Sequence, residues 1–105
     1  MKREDIQRQI DCYTAKIDAY SGLLRKADRE ENEDGCHKYN SLVWYYHGCQ
    51  DQLVGIRDSL FPDMAYKRTI PFSLEYYKEV VTDVVREEVG NCPELVDDII
   101  AVEFC

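Results

Sequence analysis

Two long segments of the chain carry apolar residues at alternating spacings of three and four. In the first segment these residues are Ile6, Ile10, Tyr13, Ile17, Tyr20, Leu24 and Ala27. In the second segment they are Tyr39, Leu42, Tyr46, Cys49, Leu53, Ile56 and Leu60. This spacing keeps apolar side chains on one side of an α-helix. The pattern therefore predicts helices over residues 3–31 and 36–60, with apolar stripes that pack together along their full length.

The four residues between the two segments predict a tight turn. Asn32 to Gly35 are residue types that favour turns, and we expect Gly35 to take the positive φ that closes the first helix. Two long helices joined in this way form an antiparallel hairpin over residues 3–60. Gly22 interrupts the first helix, where it marks either a close helix contact or a slight bend.

The remaining third of the chain predicts two shorter helices. Phe61 precedes a proline, which ends the second helix, and residues 61–72 form a connector. From a cap at Ser73 the third helix runs to about Glu88, with its apolar side inward: Leu74, Tyr77, Val80, Val81, Val84 and Val85. A fourth helix runs from Pro93 to about Phe104, with Asn91 at its cap and Glu94 in capping-box position.

The predicted fold is all-α. One domain of 105 residues comprises the long antiparallel hairpin and two shorter C-terminal helices, residues 73–105, packed against it. Trp44 points away from the hairpin stripe, with Tyr45 beside it. Two interpretations remain open at this stage. Either the C-terminal segment folds back and covers Trp44, or Trp44 is an exposed aromatic anchor for a partner.

Composition and charge limit which classes of partner and which cellular compartment we expect. The chain has 21 acidic and 13 basic residues and a net charge of −8. Direct binding to nucleic acid or to an anionic membrane requires a basic surface, so neither is expected. No apolar run approaches the ~20 residues of a membrane span. Five cysteines without a C-x-x-C pair indicate reduced thiols, and no signal peptide is recognised, so we expect a cytoplasmic protein.

The residue types that metals and nucleophilic catalysis use are present, but their spacing is unfavourable. The candidate metal ligands are Cys36, His37, His47 and Cys49, but His37 and His47 are separated by about 15 Å of helix rise, whereas zinc ligands lie about 2.0–2.3 Å from one ion. No phosphate-binding loop or nucleophile motif occurs. We therefore expect no metal, no cofactor and no enzymatic activity.

Carboxylates are the most informative polar feature. Glu75, Glu79, Asp83 and Glu87 recur every four residues and share one face of the third helix, about 6 Å apart along its axis. Further acidic residues follow at Glu88, Glu94, Asp97, Asp98 and Glu103. Residues 73–105 hold nine acidic residues and only two basic ones, a net charge of −7. Nearly all of the net charge of the protein therefore lies in the last third of the chain.

Two functional hypotheses follow. In the first, the chain is a non-enzymatic inhibitor that covers the basic groove of a nuclease or another DNA- or RNA-handling protein. The residues expected to bind that partner are Glu75, Glu79, Asp83, Glu87, Glu88, Asp97, Asp98, Trp44 and Tyr45. Phage and mobile-element proteins of the anti-CRISPR and anti-restriction type are analogous in size and charge only. In the second hypothesis the chain is a helical adaptor or a self-associating module, such as a homodimer.

Overall fold

The computed structural model describes residues 2–61 and 74–104, with the backbone alone for residues 103 and 104. The described residues form four helices: α1 (Arg3–Arg29), α2 (Glu33–Leu60), α3 (Leu74–Val89) and α4 (Pro93–Phe104). α1 and α2 form the hairpin, and the two shorter helices pack against it, so the predicted all-α fold is confirmed. The connector beyond Phe61 and the cap predicted at Ser73 lie outside the described residues.

The turn between α1 and α2 differs from the prediction. Glu31, with a φ of 57°, takes the left-handed conformation, and Gly35 does not. Asn32 caps α2, where its Oδ1 accepts a hydrogen bond from the backbone N–H of Gly35 at 3.1 Å. A Cβ on Gly35 would lie 2.7 Å from the Asn32 side chain. Glycine is therefore suited to this position by the close approach of the capping side chain, and not by backbone geometry.

α1 is the central helix of the molecule. Within the described residues, α2 packs against α1 and, apart from one ion pair between Lys38 and Glu88, does not contact α3 or α4, whereas α3 and α4 both pack against α1. α1 accordingly has ten buried residues, and α2 has only two, Gly35 and Tyr39. The C-terminal helices therefore do not lie over α2.

The face of α1 that contacts α3 and α4 is lined with small residues. Ala15, Ala19 and Gly22 are buried there, on the side away from the predicted apolar stripe. A Cβ on Gly22 would lie 2.4 Å from Cγ1 of Ile99 in α4. Gly22 thus marks a close helix contact, one of the two roles the sequence left open.

Aromatic rings and a few polar side chains hold α1 and α2 together. Tyr46 lies with its ring centroid 5.7 Å from those of both Tyr13 and Tyr20. Further along, Gln50 Nε2 donates a hydrogen bond to the carbonyl of Ile10 at 3.3 Å. Beyond this region α2 still contacts α1, because Arg57 Nη1 donates a hydrogen bond to Gln7 Oε1 at 2.8 Å, but Ile56 and Leu60 of the α2 stripe are 46% and 58% exposed. The prediction that the two stripes pack along their full length was wrong.

α3 is oriented by the apolar face that its sequence predicts. Tyr77, Val81, Val84 and Val85 are buried, and the Tyr77 hydroxyl donates a hydrogen bond to Asp18 Oδ2 of α1 at 2.8 Å. Leu74, expected to face inward, is 48% exposed because it lies at the first residue of the helix.

α4 begins at Pro93, as predicted, but its cap lies one residue later than the predicted Asn91. The N–H of Val96 donates to the carbonyl of Cys92 at 3.3 Å, so Cys92 occupies the cap position instead of Asn91. Gly90, with a φ of 84°, ends α3 just before this point. Leu95, Val96 and Ile99 are buried against the rest of the core.

Candidate partner-binding surfaces

Four of the predicted binding residues form an exposed acidic ridge on α3. We define the acidic ridge as Glu75, Glu79, Asp83 and Glu87, all of which are exposed. None of them forms an ion pair with a cation in the part of the chain that the structure describes. Because the opposite side of α3 is buried against α1, these carboxylates face solvent. At four-residue intervals they extend over about 18 Å of helix.

Glu88 does not belong to this ridge. Its carboxylate is half-buried, accepts a hydrogen bond from the Tyr20 hydroxyl at 3.2 Å and lies 2.6 Å from Lys38 Nζ. The hydrogen bond that Lys38 donates to Glu88, and then the negative charge of Glu88, raise the pKa of Lys38. Burial, and then the charge of Glu88, raises the pKa of Tyr20. Glu88 therefore joins α3 to α1 and α2, and its carboxylate is engaged within the fold.

Asp97 and Asp98 are exposed on α4, but each shares a cleft with cations. Asp97 lines a cleft of about 240 Å³ between α3 and α4, together with Lys78 and Arg86. Asp98 lines a cleft between α1 and α4 that also includes Arg25 and Arg29. The negative potential of these two carboxylates is thus partly offset by nearby cations.

Trp44 and Tyr45 are exposed on α2, at 70% and 64%. The interpretation in which the C-terminal segment covers Trp44 is wrong, because α3 and α4 pack against α1. The indole lies 6.3 Å from the imidazole of His47, measured between ring centroids. The two exposed aromatic residues on α2 and the acidic ridge on α3 therefore lie on separate surfaces, since α2 and α3 pack on α1 and not on each other.

The surface around Trp44 is also poor in charge. Between Tyr39 and Ile56, Asp51 is the only Asp, Glu, Lys or Arg, although such residues make up 32% of the chain. Charge depletion with exposed Trp and Tyr is typical of the centre of a protein–protein interface. The aromatic residues were predicted from the sequence, but the charge-poor run was missed, although a count of charges along the second helix reveals it.

The thiols and imidazoles do not converge on a common centre. Cys12, Cys36, Cys49 and Cys92 are unpaired thiols, and Cys105 lies outside the described residues. Cys36 and His37 line an open cleft beside Leu24 and Asp28. Among the residues described, no group of three His, Cys, Asp or Glu side chains is placed to hold one metal ion.

Comparison of the chain with protein-family models, with curated proteins and with solved structures gives no match. Within the described ranges, none of the four helices combines the length and hydrophobicity that crossing a membrane requires.

Proposed function

We propose that this chain is a non-enzymatic protein whose acidic ridge binds the basic surface of a protein that handles DNA or RNA. The observation that carries the proposal is the exposure of four carboxylates at one-turn spacing, without ion-pair partners among the described residues. Like charges at this spacing destabilise a helix by a few tenths of a kcal/mol per pair, roughly. A ridge that served solubility alone would avoid this cost by alternating its charges, as α1 does.

The ridge would act by charge mimicry. Phosphates recur about every 3.4 Å along one strand of DNA, and the ridge carboxylates about every 6 Å along the helix. Lysine and arginine side chains are long and flexible enough to pair with either spacing. The negative potential steers encounter with a basic groove and makes association sensitive to salt. A nuclease whose groove is occupied in this way cannot bind its nucleic acid. Phage and mobile-element inhibitors of similar size and charge provide the analogy.

A pair of charge-reversal variants tests the proposal. Glu79→Lys/Asp83→Lys reverses the centre of the ridge, and Asp28→Lys/Glu31→Lys reverses two exposed carboxylates at the end of α1. Each replacement adds two charges, so both variants change the net charge from −8 to −4. The immobilised chain is incubated with host lysate, washed at rising salt, and the retained proteins are identified by mass spectrometry.

We expect the wild type and the α1 variant to retain a basic nucleic-acid-binding protein that salt or duplex DNA releases. The ridge variant should lose this protein while keeping the helical circular-dichroism signal of the wild type. Equal retention by the two variants would rule out the ridge as the binding surface. Retention that duplex DNA does not compete would rule out occupation of a nucleic-acid groove.

The exposure of Trp44 favours a second candidate function, a helical interaction module that binds through α2. Association through this surface should be governed by apolar contacts and change little with salt. A partner that withstands high salt, is kept by Glu79→Lys/Asp83→Lys and is lost by Trp44→Ala would support this second function.

A further inference from the structure

The greater part of α2 contains no buried residue. We define residues 40–60 as the α2 arm, and every residue of the arm is either exposed or half-buried. The two buried residues of α2, Gly35 and Tyr39, both precede the arm. By contrast, α1 has ten buried residues along its length. Because helices in proteins are stabilised mainly by packing of an apolar face, the α2 arm gains less from packing than the other helices do.

The amino-acid composition of the α2 arm also disfavours a helix. Only six of its 21 residues are strong helix formers, against 14 of the 27 residues of α1, and the arm has no alanine, lysine or glutamate. Gly48 and Gly55 have the lowest helix propensity in the arm. A Cβ at either position would meet nothing within 4 Å, so no close contact requires glycine there, in contrast to Gly22. Local propensity therefore does not compensate for the weak packing.

The contacts that hold the α2 arm on α1 are half-buried side chains and a few polar bonds. Tyr46 contacts the rings of Tyr13 and Tyr20, and Arg57 Nη1 donates a hydrogen bond to Gln7 Oε1 at 2.8 Å. Water can replace a partly exposed hydrogen bond at small net cost. Opening of the arm would uncover the two tyrosine rings of α1, so the closed arm remains the major state.

The contacts that join α1 to α3 and α4 do not involve the α2 arm. Tyr77 and Val81 of α3 and Ile99 of α4 are fully buried, and α3 and α4 pack on α1. Within the described residues, α2 meets α3 only through the ion pair between Lys38 and Glu88, which precedes the arm. The packing of α1, α3 and α4 can therefore persist when the arm opens.

We propose that the α2 arm opens as a unit in the folded chain while α1, α3, α4 and the first turns of α2 stay packed. Local opening occurs in the elements that have few buried apolar contacts and many solvent-exposed backbone hydrogen bonds. It begins after Tyr39, the last buried residue of α2. Trp44 and Tyr45 lie on the arm, so opening removes the helical surface that presents them. Opening is a property of the chain alone and requires neither a partner nor the acidic ridge.

Native-state hydrogen exchange of the full chain, followed by mass spectrometry of its peptides, measures the opening of each helix. After correction for intrinsic exchange rates, amides of the α2 arm should exchange at least about tenfold faster than amides of α1 and α3. Low concentrations of urea should accelerate exchange in α1 and α3 much more than in the arm, because global unfolding exposes more surface than opening of the arm does.

Val81→Ala distinguishes local opening from global unfolding. The substitution leaves a cavity in α3 that weakens the closed and the open-arm forms equally. Exchange in α1 and α3 should therefore rise by about tenfold or more, whereas exchange in the α2 arm should not change. If Val81→Ala fails to fold, the urea series on the wild type makes the same comparison.

The variant Gly48→Ala/Gly55→Ala tests the contribution of helix propensity. It strengthens the helix of the α2 arm without adding a contact, so exchange in the arm should slow by up to about thirtyfold. Unchanged exchange in this variant would exclude unwinding of the arm as the opening event.

Three further results would overturn the proposal. They are equal protection of all four helices, the slowest exchange in the α2 arm, and equal acceleration of the arm and of α3 in Val81→Ala. Exchange in the arm that rises with urea as steeply as exchange in α3 would likewise show that the arm opens only by global unfolding.

Discussion

Replacing Gly22 with alanine tests whether the close contact between α1 and α4 limits the stability of the fold. The new Cβ would lie 2.4 Å from Cγ1 and 2.5 Å from Cδ1 of Ile99, whereas nonbonded carbons prefer about 3.5–4.0 Å. Ile99 is only 2% exposed, so it cannot move into solvent. Such overpacking costs about 1–3 kcal/mol.

The matched control is Gly55→Ala, in the interior of α2. Both substitutions gain about 1 kcal/mol from the higher helix propensity of alanine. At Gly55 the added Cβ meets nothing within 4 Å, so this gain remains. We expect Gly55→Ala to raise the free energy of unfolding by up to about 1 kcal/mol. Gly22→Ala should fall about 1–3 kcal/mol below Gly55→Ala.

Urea unfolding followed by circular dichroism measures the difference, with the concentration held low and equal for all variants. Removing the clashing atoms provides a second comparison. In an Ile99→Ala background, Gly22→Ala should become as favourable as Gly55→Ala, although the background itself costs about 2–5 kcal/mol. Equal stabilisation by Gly22→Ala and Gly55→Ala in the wild-type background would refute the argument that α4 requires glycine at this contact.

Three further changes test individual contacts by urea unfolding. Tyr77→Phe removes the hydrogen bond to Asp18 and should lower the free energy of unfolding by about 1.5–3 kcal/mol. The matched control is Tyr39→Phe, which should cost less because the Tyr39 hydroxyl has no hydrogen bond within the described ranges. Equal losses would contradict this assignment. Because the pKa of Tyr20 is raised in the folded state, its phenol stabilises the fold at pH values below the ordinary tyrosine pKa of 10.0, and this stabilisation is lost as the pH rises above 10.0. The stability of Tyr20→Phe should therefore fall less steeply in alkali than that of the wild type. Arg3 is 5% exposed, and its Nε and Nη1 have no hydrogen-bond partner among the described residues. Arg3→Met should therefore raise the free energy of unfolding by about 1 kcal/mol. A lower free energy of unfolding would show that the guanidinium is hydrogen-bonded in the folded protein.

The candidate site was only partly accessible from sequence. Four-residue spacing was sufficient to place the acidic ridge on one exposed face, because a helix fixes which of its own side chains lie together. The spacing could not show that the next carboxylate along the chain, Glu88, is hydrogen-bonded to Tyr20 and Lys38. Those groups are 68 and 50 residues away in sequence, and only the packing of α3 against α1 brings them together.

The sequence by itself determined the local structure of this protein. The alternating apolar positions specified α1 and α2, since helical periodicity acts over a few residues. Tertiary structure decided which helix is central. The small residues Ala15, Ala19 and Gly22 form a second contact face that a search for large apolar residues overlooks, because close packing can depend on missing side-chain volume. Because α3 and α4 pack on this second face of α1, they lie on the opposite side of α1 from α2, and Trp44 remains exposed.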